Sequence, residues 1–377
     1  MSMSRTYLDY NATAPLLLEA REMMLQAIDV TGNPSSVHGE GRDTRKLVED
    51  AREKVAVLVG TKPNNVVFTS GATEANAWAL SRNWDQILLS RIEHDSVLAP
   101  ARSSGGDIMD LDVDPNGQAS VEQVADFASL NSIENRRRLV ALQMANNETG
   151  SLQPVEDAGR LCQEHGLSLH IDAVQAAGRT TIDFDALGAD TLAISSHTIG
   201  GPMGVGALVI KDGLELSPFI VGGGQEKRRR AGTENVPGIV GFGAAAEFVV
   251  GQSQEMTRLG QLRDVLEKQL LTASPDAVII GRDGPRIANT SCVAVTGQSS
   301  DILLIKFDLA GVAVSAGSAC SSGKVGASHV LTAMGVKPEL ARGAIRISLG
   351  WNTSANDIET FIRSWSEIVG GQARAVA

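Results

Sequence analysis

The chain has 377 residues, 43% of them hydrophobic and 20% charged, proportions that exclude a disordered or fibrous polypeptide. Its 33 basic residues against 44 acidic ones give a net charge of -11, which does not favour nucleic acid or anionic lipid as a partner. The opening residues Met1 to Tyr10 carry no basic segment leading into an apolar run, and no stretch reaches the roughly 18 apolar residues of a membrane span, so the expected address is the cytoplasm.

Apolar periodicity near 3.6 predicts helices over 17–28, 44–59, 74–82, 155–165, 236–250 and 358–368. Short apolar runs bounded by Gly, Asn or Asp predict strands over 66–69, 86–90, 139–143, 167–171, 191–194 and 205–210. This alternation reads as an α/β fold, a mostly parallel sheet flanked by helices. After a long helical stretch over about 236–273, shorter strands at 287–295, 312–315 and 344–349 predict a smaller α+β domain towards the C-terminus. We expect a large domain over 16–255, and a small domain formed by 1–15 together with 256–377. Three cysteines, Cys162, Cys292 and Cys320, are odd in number and far apart, which suits a reducing compartment better than a disulfide framework. Their spacing offers no metal-binding pair.

A parallel sheet presents ligands at the carboxyl ends of its strands, so chemistry is sought there. The first run is followed by Ser70, Gly71, Ala72, Thr73 and Glu74. Small residues ahead of a helix suit a phosphate, although alone this is an ordinary N-cap at Thr73. The second is followed by Glu93-His94 and the third by Asn146-Asn147; His94 could stack on a planar ring or cap a helix, and the asparagines could bind a carboxylate or form a turn. Asp172 closes the fourth, with Gln175 three residues on; a carboxylate there pairs with a pyridinium N–H or caps the next helix. Ser195, Ser196, His197 and Thr198 precede the glycine-rich turn at Gly200 and Gly201, a phosphate-type arrangement. The basic run Lys227 to Arg230 reads by itself as a solvated loop.

Taken together and in this order, these strand ends resemble the class V aminotransferases, and within them the NifS/IscS-type cysteine desulfurases of the fold-type I pyridoxal-phosphate enzymes. The likeness runs from Tyr7-Leu8-Asp9-Tyr10-Asn11 through Asn33-Pro34-Ser35-Ser36-Val37-His38 to Arg346-Ile347-Ser348-Leu349-Gly350 and covers nearly the whole chain. It implies that Ala72, Thr73, Ser195 and His197 hold the phosphate of pyridoxal 5'-phosphate, that His94 stacks on its ring, and that Asp172 and Gln175 pair with the ring nitrogen and phenolic oxygen. Asn11, Asn147 and Arg346 would bind the substrate, Arg346 by bidentate contact with its carboxylate. Thr233, in the segment from Gly222 to Asn235, would reach the phosphate of a neighbouring subunit and so implies a homodimer with shared sites.

Cys320, in Ser318-Ala319-Cys320-Ser321-Ser322-Gly323-Lys324, would be the sulfur carrier. A lone cysteine is more often a buried small residue, but this local sequence at this distance before Arg346 reverses that balance. The resemblance thus implies L-cysteine as substrate, L-alanine as product, and a Cys320 persulfide for a sulfur-acceptor or Fe–S scaffold protein. It implies no resident metal, with Cys320 at most a transient Fe–S ligand. Cys162 and Cys292 read as core residues.

One position departs. The family carries after the histidine at position 197 the lysine that bonds the cofactor covalently; here it is Thr198, which can neither bond the cofactor nor remove a proton as an amine. Lys211, Lys227 and Lys324 are the nearest amines, and none follows the required strand. The expectation is non-covalent cofactor binding and strongly impaired turnover. A recent or deliberate substitution, a natural lineage using free cofactor, and a homologue that only binds remain open, as does another class V activity such as aminotransferase or selenocysteine lyase.

Overall fold

The computed structural model describes residues 5–130, 136–252, 254–317 and 328–370. Its main sheet has seven strands in the order Val66–Thr69, Gly206–Ile210, Thr191–Ser195, Ser168–Asp172, Arg138–Gln143, Gln86–Ser90 and Asp107–Leu111. Gly206–Ile210 runs antiparallel to both its neighbours and the remaining pairs are parallel. The inner strands are buried along their whole length, as expected for near-continuous apolar runs covered by helices on both faces. Because Val66–Thr69 and Thr191–Ser195 both oppose Gly206–Ile210, their carboxyl ends fall on the same edge as those of the other parallel strands.

The helices on which that sheet rests begin where the local chemistry supplies a cap. His38 accepts the Gly41 N–H at the head of Gly39–Leu58, so this helix starts five residues earlier than periodicity predicts. Asn235 caps Val236–Val250, with Pro237 in the first turn. The single long stretch expected over about 236–273 is instead two helices, Val236–Val250 and Glu255–Ala273, broken at Gly251. Among the elements that escaped the sequence reading are the helices Asp95–Ser103 and Val121–Ser129, and the edge strand Asp107–Leu111, which is largely exposed and lacks an apolar run.

A second, separate core is built around Leu8, Phe307, Ile345, Ile347, Phe361 and Trp365, with Phe307 and Phe361 stacked at 5.1 Å between ring centroids. Above it lies an antiparallel sheet of Val278–Ile280, Thr290–Ala294 and Ala344–Ser348. The predicted strand at 287–295 is Thr290–Ala294, and Val278–Ile280, which the sequence reading lacks, pairs along its other side. Thr6–Tyr7 pairs in parallel with Val312–Ala313, so the N-terminal segment packs with this second core. Asn11 ties the two cores together, its amide donating to Asn147 O and to Thr290 Oγ1. No helix among the described residues is long and apolar enough to cross a membrane.

Candidate active site

The carboxyl edge of the sheet opens onto a cavity of about 600 Å³. Asn11, Ala72, Thr73, His94, Asn147 and Asp172 line it, as do Gln175, Ser195, His197, Thr198 and Arg346. All these sequence-predicted positions therefore meet in one place. Two do not figure among them: Thr233 is exposed and lines no part of this cavity in its own chain, and Cys320 lies outside the described residues.

At one end the cavity meets the N-terminus of Ala72–Leu80, where Gly71 leaves open space in place of a side chain. The first-turn N–H groups of a helix lack intrahelical partners and favour an anion. Gly206 is required here, since a Cβ on it would stand 2.7 Å from the Gly71 carbonyl carbon and from Ile194 O. Opposite, His197 Nδ1 and Ser196 Oγ are buried without a partner among the described residues. Burial, and then Arg179, push the His197 imidazole below its ordinary value, so it is neutral at neutral pH. Glu74, in the same helix turn, would be raised by burial, but Arg230 at 2.9 Å and the Ser70 N–H outweigh that and hold it ionised and compensated.

At the other end Asp172 is buried. Its Oδ2 accepts from Asn76 Nδ2 at 2.8 Å and its Oδ1 from the Val174 N–H at 3.0 Å. Desolvation raises its carboxyl, which these donors and His94 partly offset. His94 caps the helix Asp95–Ser103, its Nδ1 3.1 Å from the Ser96 N–H and 2.8 Å from Ser96 Oγ. Gln175 gives one amide N–H to Asn11 O and its oxygen accepts from Arg179 at 2.6 Å. Arg346 reaches in from Ala344–Ser348, bonding Asp9 at 2.7 Å and Asn147 O at 3.0 Å, with its Nε buried and unpartnered among the described residues.

Thr198 is 3% exposed and its Oγ1 lies 3.2 Å from Val174 O and 3.1 Å from Ser195 O, so the hydroxyl is turned back onto the chain. Among the described residues, no lysine lines the cavity. Lys211 pairs with Asp190, which precedes Thr191–Ser195, and so sits at the opposite edge of the sheet; Lys227 bonds Asn64; Lys324 lies outside the described residues. Pyridoxal phosphate fits the residues that would hold it: open helix N-terminal space and an orphaned imidazole for phosphate, a buried carboxylate for the ring nitrogen, a guanidinium for a substrate carboxylate. Among the described residues it does not find the amine that would bond it covalently.

Several residues of the site were not assigned a role from sequence. Asn76 and His170 stand behind Asp172. Asp9 neutralises Arg346. Glu148 is buried, accepts the Ser328 hydroxyl at 2.6 Å, and lies so close to Gly317 that a Cβ there would meet its carboxylate at 1.8 Å. The signal available was polar residues at positions facing inward from otherwise apolar elements. Cys162 and Cys292 are buried, as read from sequence, and burial pushes both thiols up to about 12, leaving them unreactive.

Glu93 is fully buried; its Oε1 accepts the Gln143 N–H and its Oε2 has no partner among the described residues. Desolvation, then Asp172, raise its carboxyl well above the ordinary value. The native state therefore holds a proton that the unfolded state releases above about pH 4.3, so this contribution to stability is present at low pH and lost as pH rises through the folded value. Glu93→Gln, isosteric with the neutral acid, is expected to be more stable than the parent by a margin that grows with pH over that window. Thermal melts of both proteins from pH 5 to 9 measure this, and parallel curves would refute it.

The fold and this site define the fold-type I class of pyridoxal-phosphate-dependent transferases. The profile of the aminotransferase class V family matches residues 6–361, and the chain belongs to that family. Among its relatives are the cysteine desulfurase IscS of Dictyoglomus turgidum, 39% identical over 93% of this chain and 91% of the relative, and the cysteine desulfurase of Cereibacter sphaeroides, 40% identical over 100% and 98%. A NifS-like protein from Rickettsia africae superposes with a TM-score of 0.90 at 34% identity, covering 97% of this chain and 100% of that one.

Proposed function

We propose that the chain is a cysteine desulfurase-type protein that takes sulfur from L-cysteine, leaving L-alanine, and passes it as a Cys320 persulfide to an Fe–S scaffold or other thiol acceptor. The observation that carries this reading is the convergence of Asp172, His94, His197 and Arg346 on one cavity at the carboxyl edge of the sheet. Pyridoxal phosphate, when bound, supplies an electron sink for charge developing beside the substrate amine. The chain's own part is to bind and orient. Ala72, Thr73, Ser195 and His197 offer donors to the phosphate. His94 and Asp172 hold the ring, and Asn11, Asn147 and Arg346 fix the substrate carboxylate. The Cys320 thiolate would then form a bond to the substrate sulfur as the carbon–sulfur bond breaks, the bonding pair passing to the substrate's β-carbon, which takes up a proton to become the methyl of alanine.

Because Thr198 has no amine, the cofactor would be held non-covalently and turnover would be slow. The same substitution favours one second reading, a homologue that binds the cofactor without catalysis. A homodimer is part of the proposal, supported by Phe219, Ile220 and Val221, exposed immediately before the segment that carries Thr233. So is the division into 16–255 and 1–15 with 256–377, supported by the two separate cores.

Cys320→Ala discriminates among activities of the family. In a Thr198→Lys background it is expected to cut sulfide release to dithiothreitol by at least about 10²-fold, the scale of losing a covalent nucleophile, while any transamination persists. Undiminished sulfide release would remove Cys320 from the reaction.

A further inference from the structure

Behind the two residues proposed to hold the cofactor ring lies a chain of buried polar side chains that the sequence did not single out. His170, on Ser168–Asp172, is 1% exposed and Asn76, on Ala72–Leu80, is 0% exposed. Asn76 Nδ2 lies 2.8 Å from Asp172 Oδ2 and 2.9 Å from Ser96 Oγ. Asn76 Oδ1 lies 3.0 Å from His170 Nε2, and His170 Nδ1 lies 2.8 Å from Thr191 Oγ1.

With Asp172 as a carboxylate, hydrogen-bond polarity runs through this chain in one direction. A carboxylate, the form that pairs with a ring N–H, can only accept, so the amide presents its nitrogen to Asp172 and spends its two N–H groups on Asp172 and Ser96. The amide oxygen then faces His170, which must donate from Nε2. Burial lowers the His170 imidazole to about 4, so the ring is neutral and its bare Nδ1 accepts the Thr191 hydroxyl. On the far side, Ser96 Oγ already accepts from Asn76 and is free to donate to His94 Nδ1 at 2.8 Å, while the Ser96 N–H approaches the same nitrogen at 3.1 Å. His94 therefore keeps its proton on Nε2.

We infer that Asn76, with its amide polarity set by Asp172 and matched by His170, is a positioning residue that simultaneously fixes the Asp172 carboxylate and the ring tautomer of His94. One amide couples the residue proposed to meet the ring nitrogen to the residue proposed to stack on the ring. His170 acts at one remove, by making the flipped amide a donor–donor clash. A fully satisfied buried network of this kind specifies a single geometry, and losing one member leaves a buried group unpaired. The assignment of roles rests on the function proposed above; the network itself does not.

The test uses the full-length chain with Thr198 in place. Side-chain nitrogen NMR of histidine-labelled protein without cofactor is expected to show His94 and His170 as neutral Nε2–H tautomers. In Asn76→Ala and His170→Leu the His94 resonances should shift to a tautomer mixture, and the dissociation constant for pyridoxal phosphate, read from tryptophan fluorescence quenching, should weaken about tenfold. His170→Gln, which can both accept from Thr191 and donate to Asn76, should restore the His94 signature, separating positioning from simple loss of folding. A His94 tautomer unchanged in both deletion variants, or a Gln variant no better than Leu, would overturn the inference. If the parent shows the expected tautomers but no affinity for pyridoxal phosphate, the cofactor reading falls and the network stands.

Discussion

Thr198→Lys is expected to raise alanine release from L-cysteine, in the presence of pyridoxal phosphate, by about 10²–10⁴-fold, the range that a positioned acid–base group contributes. The purified lysine variant should also acquire a visible absorption band that the threonine form lacks. The site is prepared for the exchange. Residue 198 sits in the short turn His197–Ile199, directly after the strand whose end bears Ser195, and its side chain lines the cavity that holds Asp172, His94 and Arg346. The turn is sharpened by Gly200 at a φ of +86°, where a side chain would collide with Leu17 and Trp351 at 2.6 Å, so the backbone that presents residue 198 is fixed independently of it. What lysine gives up is the Thr198 hydroxyl's bond to Val174 O or Ser195 O, a contribution of about 1 kcal/mol. Alanine assays and spectra of the two proteins side by side decide the matter. No alanine and no band from the lysine form would remove both the activity and the cofactor; a band without alanine would keep the cofactor and remove the substrate.

Most of the sheet was legible because its strands are buried on both faces and therefore read as uninterrupted apolar runs, from Val66–Thr69 to Gly206–Ile210. Asp107–Leu111 was not, since it lies at the exposed edge of the sheet and needs no apolar pattern to pair with Gln86–Ser90. Site residues at strand ends, such as Asp172 and His197, could be found because topology alone decides where strand ends converge. Asn76 and His170 could not, because a buried polar residue in an apolar element shows its partner only once two elements are packed. Glu226 posed the same difficulty: it directly precedes the basic run Lys227 to Arg230, whose solvated reading holds for Lys227 and Arg228 but not for Arg230, which turns in to Glu74, and Glu226 itself is buried.

Arg52→Ala is expected to cost about 3–5 kcal/mol of stability, the penalty for leaving a buried charge without its partner. The Arg52 and Glu226 side chains are 4% and 3% exposed, and meet through two bonds of 2.7 and 2.8 Å. Glu226 Oε2 also accepts the Phe68 N–H at 2.9 Å, and Arg52 donates to Val66 O at 2.9 Å while its guanidinium lies over the Phe68 ring. Burial alone would lower the Arg52 pKa, but Glu226 outweighs it and the guanidinium is held charged. The pair stabilises a strained turn: Glu226, Lys227 and Arg228 have φ of 46°, 56° and 67°, a region that costs each non-glycine residue roughly 1–3 kcal/mol and persists only where surroundings impose it. Releasing Arg52 should therefore let the turn relax as well as weaken the fold. Denaturant titration reads the first effect, and faster proteolytic cleavage within residues 222–235 reads the second. Glu226→Gln, which keeps an acceptor for the Phe68 N–H and for Arg52, should lose less than Arg52→Ala; a loss below about 1 kcal/mol for Arg52→Ala would show that the pair does not hold the turn. The consequence reaches the site, because Arg230, two residues past the turn, neutralises Glu74 in the first turn of Ala72–Leu80. A loosened segment would expose the phosphate end of the cavity to an uncompensated carboxylate, so cofactor affinity should fall together with stability.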